Sequence, residues 1–384
     1  MSQPIFPAGE DHSEGAVAPP TKCNHHSESA MAPGTEWPAA TTKAPWVHEG
    51  IPLERGRRRP RGDSSSRENG LRAGKRFEGF PGPRVAALFA VLALAWFVSV
   101  ARASAALTIA TYNVENYLMA DRMAEGVYRQ AYPKPEAEKA ALHQVISGIS
   151  PDILAVEEMG TQPFLDEFQR ELKQAGQDFP FAALLDGPDR ERHVAILAKV
   201  PFKELRRHDN LKTTYLGQAQ LVKRGVLEAI FATDAGDVSV FVVHLKSRFT
   251  ERPDDPESAL QRAAEAEAVR DLVLSRYPDP TKGRYVICGD WNDTRGSRPV
   301  RALQKRGDRV VGEILPAADK RGETWTHFWR REETYSRIDY VLVSPALKPL
   351  VAEKRAEVWD GPGVREASDH RPVVVRLNLA AAGK

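Results

Sequence analysis

The sequence contains little cysteine, and its 384 residues include only Cys23 and Cys288. Only Cys288 falls in the part predicted to fold, so no disulfide framework is available even if the protein is exported. This excludes the class of small secreted domains that disulfides hold together. Cys288 lies within a predicted strand, and we interpret it as a small buried apolar residue rather than a nucleophile.

An excess of charge of one sign is also lacking. The chain has 54 Lys and Arg against 52 Asp and Glu, and residues 106–384 carry 41 basic and 42 acidic side chains. A strongly basic surface, typical of proteins that bind nucleic acid by its phosphates, is therefore absent, although a local basic groove is compatible with this composition. The apolar content of 42% is ample for one or two ordinary hydrophobic cores.

A long apolar run occurs near the N-terminus, where the 17 residues 85–101 carry no charged side chain. Basic residues precede this run, and the small residues Ala103, Ser104 and Ala105 follow it. The pattern predicts an export signal over residues 84–105 that is cleaved after Ala105. The alternative is an uncleaved membrane anchor, because 17 residues is the lower limit for spanning a bilayer.

Export predicts a periplasmic or extracellular location, with a membrane tether only if the apolar run is retained. Residues 1–83 are rich in Pro, Gly, Ser and Arg and lack periodicity, so we predict that they are disordered. So long an extension before an export signal suggests that translation starts near Leu71 or later, with the upstream residues a gene-model artefact. A peptide from residues 1–60 in the unprocessed protein would refute that hypothesis.

From Leu107 onward, short β-rich runs alternate with helical stretches. Residues 136–149 and 163–175 show apolar residues at helical spacing, and Asp255-Pro256 is typical of the start of a further helix of about five turns. Buried strands are predicted for LTIATYNV, DILAVEEM, HVAILAKV, VSVFVVHL, RYVICGDW, RIDYVLVS and RPVVVRLN. These patterns predict one α/β domain over residues 106–384, with two sheets packed face to face and covered by helices.

Five of these strands begin or end next to polar residues that a buried strand has no structural reason to carry. Burying an unpaired carboxylate costs several kcal/mol, so such a set predicts one convergent site whose members share hydrogen bonds, protons or a metal. Its members are Asn113, Glu157, Glu158, His244, Asp290, Asn292, Asp369 and His370.

The residue types of this set limit the chemistry. The sequence has no Ser or Cys in a nucleophile elbow, no glycine-rich phosphate loop and no Cys/His set at zinc spacing. Carboxylates with Asn and His suit a hard cation, namely Mg²⁺, Mn²⁺ or Ca²⁺. Such an ion neutralises charge on a phosphoryl group while an Asp or His activates water, so the set predicts phosphoester hydrolysis.

Seven short motifs occur in a recognisable order: TYNVEN with Asn113, DILAVEE, AIL at residues 195–197, VVHLKS, GDWN at residues 289–292, RIDY at residues 337–340 and SDHRP at residues 368–372. Together they resemble the endonuclease/exonuclease/phosphatase superfamily, whose type fold is that of deoxyribonuclease I, over residues 107–378. The resemblance implies a four-layer α/β/β/α sandwich with two packed, mainly antiparallel or mixed sheets.

The resemblance also implies roles for the acidic residues. Glu158 would be the principal metal ligand, with Asn113 beside it and Asp369 as a further ligand for Mg²⁺ or for Mn²⁺ or Ca²⁺. Glu157 stands where the family commonly has Gln. Because successive side chains of a strand point to opposite faces, only one of the two adjacent acids can enter the cleft, and we predict a structural role for Glu157.

In the same resemblance, Asp290 orients or deprotonates the attacking water and Asn292 binds the phosphate. His370, supported by the SDH motif with Ser368, would act at the scissile phosphate as general acid, general base or stabilising cation. Asp339 would hold His370 by accepting a proton from its other ring nitrogen.

His244 matches a second histidine of the deoxyribonuclease-like branch, on the leaving-group side, and Glu191 is predicted to orient it. The alternative for Glu191 is a surface position in a charged loop. The remaining histidines of the folded part are interpreted as ordinary surface or packing residues; they are His143, His193, His208 and His327.

The motifs are most similar to exported bacterial nucleases, so DNA or RNA is the expected substrate. Lys246, Arg248, Arg295 and Arg298 follow catalytic motifs and are predicted to engage flanking phosphates, with solvated loop charges as an equal alternative. The neutral domain charge keeps a phospholipid or small phosphodiester substrate open, including a sphingomyelinase-like activity.

The aromatic residues Trp325, Trp329 and Tyr335 precede the Asp339 strand, where they would stack on bases or form an edge of the core. A binding module that has lost catalysis is the alternative from a different class. The acidic, amide and imidazole positions are all retained, and this favours an enzyme. A monomer is expected.

Overall fold

The computed structural model describes residues 106–379. The predicted N-terminal extension (residues 1–83) and export segment (residues 84–105) lie outside the described residues, so both stay predictions. Within residues 106–379, no helix combines the length and apolar character needed to cross a membrane.

Seven strands form the first sheet, in the order β16-β20-β21-β1-β4-β6-β5. Strand β1 pairs in parallel with β4 and antiparallel with β21, so the sheet is mixed. The strands are β1 (Ala106–Tyr117), β4 (Ile153–Met159), β5 (Phe181–Leu185), β6 (His193–Ala198), β16 (Ala317–Ala318), β20 (Ala356–Val358) and β21 (Val373–Asn378).

Six strands form the second sheet, in the order β15-β19-β12-β11-β10-β7. The central pair β11 and β12 is parallel and the others are antiparallel. The strands are β7 (Glu204–His208), β10 (Val226–Phe231), β11 (Val238–Val243), β12 (Tyr285–Asp290), β15 (Glu313–Ile314) and β19 (Asp339–Val343). All seven predicted strands are therefore confirmed, and β10 is a buried strand that the prediction missed.

In the described part of the chain, five helices cover the outer faces of the two sheets, and two single 3₁₀ turns lie at residues 348–350 and 352–354. On the first sheet pack α1 (Glu136–Ile149), α2 (Gln162–Gln174) and α5 (Val364–Ala367); on the second pack α3 (Ala259–Arg276) and α4 (Arg298–Gln304).

The core alternates along each strand between the sheet–sheet and sheet–helix interfaces. In β1, Ile109 faces the second sheet while Ala110 faces the helices. In β12, Cys288 faces the first sheet and Ile287 the helices. The predicted four-layer α/β/β/α sandwich is confirmed, and Cys288 is a buried apolar residue of its central layer.

Helix α3 begins later than predicted, at Ala259 rather than Pro256. Asp255 still caps it from the preceding loop, because its carboxylate accepts the backbone N–H groups of Leu260 and Gln261, each at 3.1 Å. The backbone of Ser258, with φ +51°, turns the chain between the cap and the helix.

Four hairpins extend from the sheets: β2 (Ala120–Ala124) with β3 (Val127–Tyr132), β8 (Lys212–Tyr215) with β9 (Gln218–Leu221), β13 (Lys305–Arg306) with β14 (Arg309–Val310), and β17 (His327–Trp329) with β18 (Thr334–Ser336). Three of them lie at one end of the sandwich. The hairpin β2–β3 follows the end of β1. The hairpins β8–β9 and β17–β18 come just before β10 and β19, whose first residues pair with the last residues of β11 and β12. That end carries the polar residues of the predicted site.

Candidate active site

The two sheets bring their polar strand ends together at one end of the sandwich. Asn113 of β1 lies opposite Glu157 of β4, and Asp290 of β12 lies opposite Asp339 of β19. The backbone leaves the ordinary strand conformation there, with positive φ at Glu115, Asn116, Glu158 and Asn292. Non-glycine residues adopt this region at an energetic cost, and such strain is common where side chains are held for function.

One carboxylate oxygen, Oδ2 of Asp290, is the meeting point of the site. Asn113 and Asn292 donate their side-chain N–H groups to it, at 3.1 and 3.2 Å. The Nε2 atoms of His244 and His370 lie 3.6 and 3.9 Å away. Burial raises the pKa of the Asp290 carboxyl to about 7, against the opposing effect of the nearby His370 charge. Four predicted site residues thus meet around a fifth, the buried acid Asp290.

His370 is held on its opposite ring edge by Asp339, whose Oδ2 lies 2.9 Å from Nδ1. Burial disfavours the charged imidazole, but Asp339 outweighs it, and the pKa of His370 lies well above its ordinary value. Ser368 accepts the backbone N–H of His370 at 3.0 Å and donates to the Asn113 carbonyl at 2.8 Å. The imidazole is therefore fixed in orientation by its side chain and its backbone.

Oxygen and nitrogen donors at this end fit a divalent cation. Among the His, Cys, Asp and Glu residues that the structure describes, two groups of three bring ligand atoms within 4.8 Å of one another: Asp290, Asp339 and His370, and His327, Asp369 and His370. Glu158 belongs to neither group, and its Oε2 accepts the backbone N–H of Asn116 at 3.0 Å. The first of these groups, with two carboxylates and one imidazole, suits a hard cation.

Glu157 is completely buried, unlike the neighbouring Glu158. Its Oε1 accepts the Thr111 hydroxyl at 2.8 Å, and burial raises the pKa of its carboxyl well above the ordinary range. Gly289 packs against it with φ +137°, and a Cβ there would lie 1.8 Å from the Val243 carbonyl oxygen. The two adjacent acids thus occupy different environments, as the strand alternation predicts.

His244 is buried beside Asp290, and its Nδ1 has no hydrogen-bond partner among the described residues. Burial, followed by the charge of Arg224, lowers the pKa of His244 well below its ordinary value. The prediction that Glu191 orients this histidine is wrong. Glu191 is exposed and pairs with Arg192 at 2.7 Å, in a turn whose backbone N–H groups Asp189 accepts.

The predicted phosphate-binding residues differ in exposure. Lys246 is buried, and its Nζ donates to the carbonyl oxygens of Ser247 and Phe249 within its own loop, so the prediction of a substrate contact is wrong. Arg248 and Arg295 are exposed and stay candidates. Arg298 pairs with Glu267 at 2.9 Å on the outer helices.

Two basic residues near His244 were missed by sequence reasoning. Arg192 donates its Nε–H to Asn116 Oδ1 at 2.8 Å, beside the turn that Glu158 holds. Arg192 and Lys223 both act electrostatically on His244. Lys223 precedes β10, so only recognition of that strand would have placed it here.

The aromatic loop forms the hairpin β17–β18. Trp329 and Tyr335 are exposed, and the Trp325 and Tyr335 rings meet edge to face with centroids 4.8 Å apart. A cleft of about 160 Å³ lies between this hairpin and residues 364–371. His327, interpreted from the sequence as an ordinary surface or packing residue, has its Nε2 atom 3.6 Å from Asp369 Oδ2. Sequence patterns could not reveal this pair, since a three-residue strand carries too little periodicity.

A model of the Endonuclease/Exonuclease/phosphatase family matches residues 110–370. The chain belongs to this family. Its members are phosphoester hydrolases, and the protein is therefore a phosphoester hydrolase. The family as a whole depends on a divalent metal. No curated protein matches the sequence.

The chain is similar to several solved structures at low sequence identity. The human Nocturnin catalytic domain with bound sulfate is 16% identical, with a TM-score of 0.51 over 72% of this chain and 95% of that one. Sphingomyelinase C from Streptomyces griseocarneus is 16% identical, with a TM-score of 0.48 over 71% and 99%. A family protein from Bacteroides vulgatus is 14% identical, with a TM-score of 0.49 over 71% and 98%.

Proposed function

We propose that the protein is an exported, divalent-metal-dependent phosphodiesterase that cleaves DNA or RNA. The observation that carries the proposal is the meeting of two amides and two imidazoles around Asp290 Oδ2. Such an arrangement has a carboxylate able to take a proton beside groups able to bind a phosphoryl oxygen. Mg²⁺ is the expected ion, with Mn²⁺ or Ca²⁺ as alternatives.

In this mechanism Asp290 orients the attacking water and takes its proton. Asn292 binds a phosphoryl oxygen through its amide, and His370, charged and held by Asp339, stabilises negative charge on the phosphorus centre. His244, kept neutral by burial, serves the leaving-group side. Glu158, Asn113 and Asp369 would hold the cation, which supplies Lewis-acid stabilisation of the phosphoryl group.

The basic side chains around the cleft favour nucleic acid as substrate. Arg192 and Lys223 lie near His244, and Arg248 and Arg295 follow the catalytic motifs with exposed side chains. A nucleic acid carries a phosphate at every nucleotide, so the phosphates that flank the scissile bond would contact these basic side chains. Such contacts are weakened by salt, which gives the proposal a measurable signature.

A phospholipid substrate is the second candidate, and exposed apolar side chains favour it. Most of the large apolar side chains that are exposed in the described part lie on the catalytic end of the sandwich; they include Met119, Met123, Val127, Tyr128, Leu216, Leu221, Trp329 and Tyr335. A surface of this kind fits an apolar partner better than a phosphate backbone.

A panel of DNA, RNA, phospholipid vesicles and a chromogenic phosphodiester, each with Mg²⁺, Mn²⁺ or Ca²⁺, tests the proposal. We expect cleavage of DNA or RNA that EDTA abolishes. Cleavage of vesicles alone would favour the second candidate, and no cleavage of any substrate would favour a binding module. Sequencing the N-terminus of the exported protein tests the cleavage predicted after Ala105.

A further inference from the structure

His327 is fixed opposite the catalytic histidine by the backbone. Phe328 donates its N–H to the Asp369 carbonyl at 2.9 Å, and Arg371 donates to the Thr326 carbonyl at 2.6 Å. His327 and His370 thus form an antiparallel bridge, with ring centroids 4.7 Å apart. The hairpin β17–β18 therefore delivers a third imidazole, beside those of His244 and His370, to a site that is complete without it.

Both imidazoles have one nitrogen engaged and the other free to face the same carboxylate. Nδ1 of His327 lies 3.3 Å from the Ser336 hydroxyl, and Nδ1 of His370 lies 2.9 Å from Asp339 Oδ2. An oxygen partner on the rear nitrogen is the arrangement that fixes metal-ligating histidines. The Nε2 atoms lie 3.6 and 3.9 Å from the two carboxylate oxygens of Asp369.

We propose that His327, Asp369 and His370 form a site for a borderline divalent transition metal, with Zn²⁺ as the type. Zn²⁺ binds imidazole nitrogen and carboxylate oxygen at about 2.0–2.2 Å, so neighbouring ligands of a tetrahedral site lie roughly 3.3 Å apart. At 3.6 Å from Asp369 Oδ2 and 3.9 Å from Asp369 Oδ1, the Nε2 atoms of His327 and His370 stand somewhat beyond that spacing, and one ligand atom of each residue lies within 4.8 Å of the others. Two imidazoles with one carboxylate select such ions over Mg²⁺, which prefers oxygen.

Occupancy of this site blocks hydrolysis, a consequence that rests on the proposed function. The Nε2 atom that would bind Zn²⁺ is the one that His370 turns toward Asp290 and the phosphate. Hydrolysis supported by Mg²⁺ does not need His327. A variant at His327 should therefore lose inhibition by Zn²⁺ and keep the Mg²⁺-supported activity. The site would make the enzyme sensitive to Zn²⁺ through one residue outside its catalytic set.

The test compares the full wild-type chain with His327→Ala, with His327→Gln as a second variant that keeps side-chain volume. His143→Ala, on the outer helix α1, is the matched control. Equilibrium dialysis against Zn²⁺ measures the bound ion directly, and Zn²⁺ titration of Mg²⁺-supported hydrolysis measures inhibition. Far-ultraviolet circular dichroism checks that each variant is folded.

We expect the wild type and the control to bind one Zn²⁺ more per chain than either His327 variant. Inhibition by Zn²⁺ should need at least tenfold more ion in the His327 variants, with their Mg²⁺-supported rate within about twofold of wild type. Equal Zn²⁺ binding by wild type and variants overturns the inference. Loss of Zn²⁺ binding in the variants, in a protein that hydrolyses no substrate, supports the site and refutes the proposed function.

Discussion

The centre of the site and its rim are built by different means. At the centre, Asp290, Asp339 and His370 are each at most 5% exposed and stand on or beside the long central strands. At the rim, side chains such as Met123 and Trp329 stand 61% and 45% exposed on short hairpins. Rigid strands hold groups to the tolerance that chemistry needs, whereas loops vary freely. The difference indicates that the centre determines the reaction and the rim determines the substrate.

The largest expected effect comes from breaking the centre. Asp290→Ala removes the oxygen around which two amides and two imidazoles meet, and we expect kcat to fall by about 10³-fold or more on every substrate. The measurement is the Mg²⁺-supported rate on a chromogenic phosphodiester, with circular dichroism as the check on folding. Met123→Ser at the rim is the control and should keep that rate within about twofold. Substantial activity in Asp290→Ala would refute the assignment of the centre.

Asp339→Asn tests whether Asp339 orients the His370 imidazole and keeps it charged. The substitution keeps the shape but removes the charge that orients and protonates His370, so kcat should fall by roughly 10²-fold with little change in KM. Steady-state kinetics on the same small diester separate the two constants. An effect confined to KM would instead assign Asp339 to substrate binding.

The strands of the centre could be predicted from sequence because each is a continuous apolar run followed by a polar residue. That pattern placed Asn113, Asp290 and His370 at the ends of strands, and the motif order showed which ends belong together. The pattern of β10 was missed because Glu228 interrupts it, and only the structure shows that this buried acid pairs with Arg206 and His208. The fold thus followed from patterns that span whole strands.

Side-chain direction at the rim could not be predicted in the same way. Glu191 and Lys246 were both predicted to act at the site. The Glu191 carboxylate pairs instead with Arg192, and the Lys246 ammonium group donates to carbonyl oxygens of its own loop. Those choices depend on local turns that sequence periodicity does not encode. The position of His327 depends on long-range pairing rather than on a local turn. Only the backbone hydrogen bonds between its hairpin and residues 369–371 bring it close to the centre.

The basic part of the rim gives a smaller, substrate-dependent effect. Arg192→Ala should raise KM for polymeric DNA or RNA by about three- to tenfold and reduce the slope of affinity against salt by about one. The rate on the small diester should stay within about twofold. Arg298→Ala is the control, because Arg298 pairs with Glu267 on the outer helices, whereas Arg192 acts electrostatically on His244. Equal losses in both variants would leave the basic rim without a specific role.

The apolar part of the rim is tested on vesicles. Met123→Ser combined with Tyr128→Ser should reduce binding to zwitterionic phospholipid vesicles severalfold if a phospholipid is the substrate, since both side chains are more than half exposed. Val310→Ser, on the hairpin β13–β14, is the matched control. Co-sedimentation measures the bound fraction. No binding by the wild type would remove the second candidate function.

The smallest effect concerns the contact that anchors the rim to the centre. Arg371, next to His370, pairs with Asp319 at 3.0 Å, and its guanidinium lies over the Trp325 ring. It therefore links the segment that leads into the hairpin β17–β18 to the segment that carries His370. Burial opposes ionisation of Asp319, but the backbone N–H groups of Glu323 and Arg321 and the Arg371 charge outweigh it and lower its pKa to about 2.

An unfolded Asp titrates near 3.9, so the folded form binds its proton less tightly. The stabilisation is therefore present above about pH 4 and is lost as pH falls from about 4 to 2. Asp319→Asn should lower the free energy of unfolding at pH 6 and leave a smaller difference from wild type near pH 3, measured by urea unfolding at each pH. A difference that stays constant over this range would mean that the carboxylate charge does not hold the hairpin. The rim would then be anchored to the centre by its backbone hydrogen bonds alone.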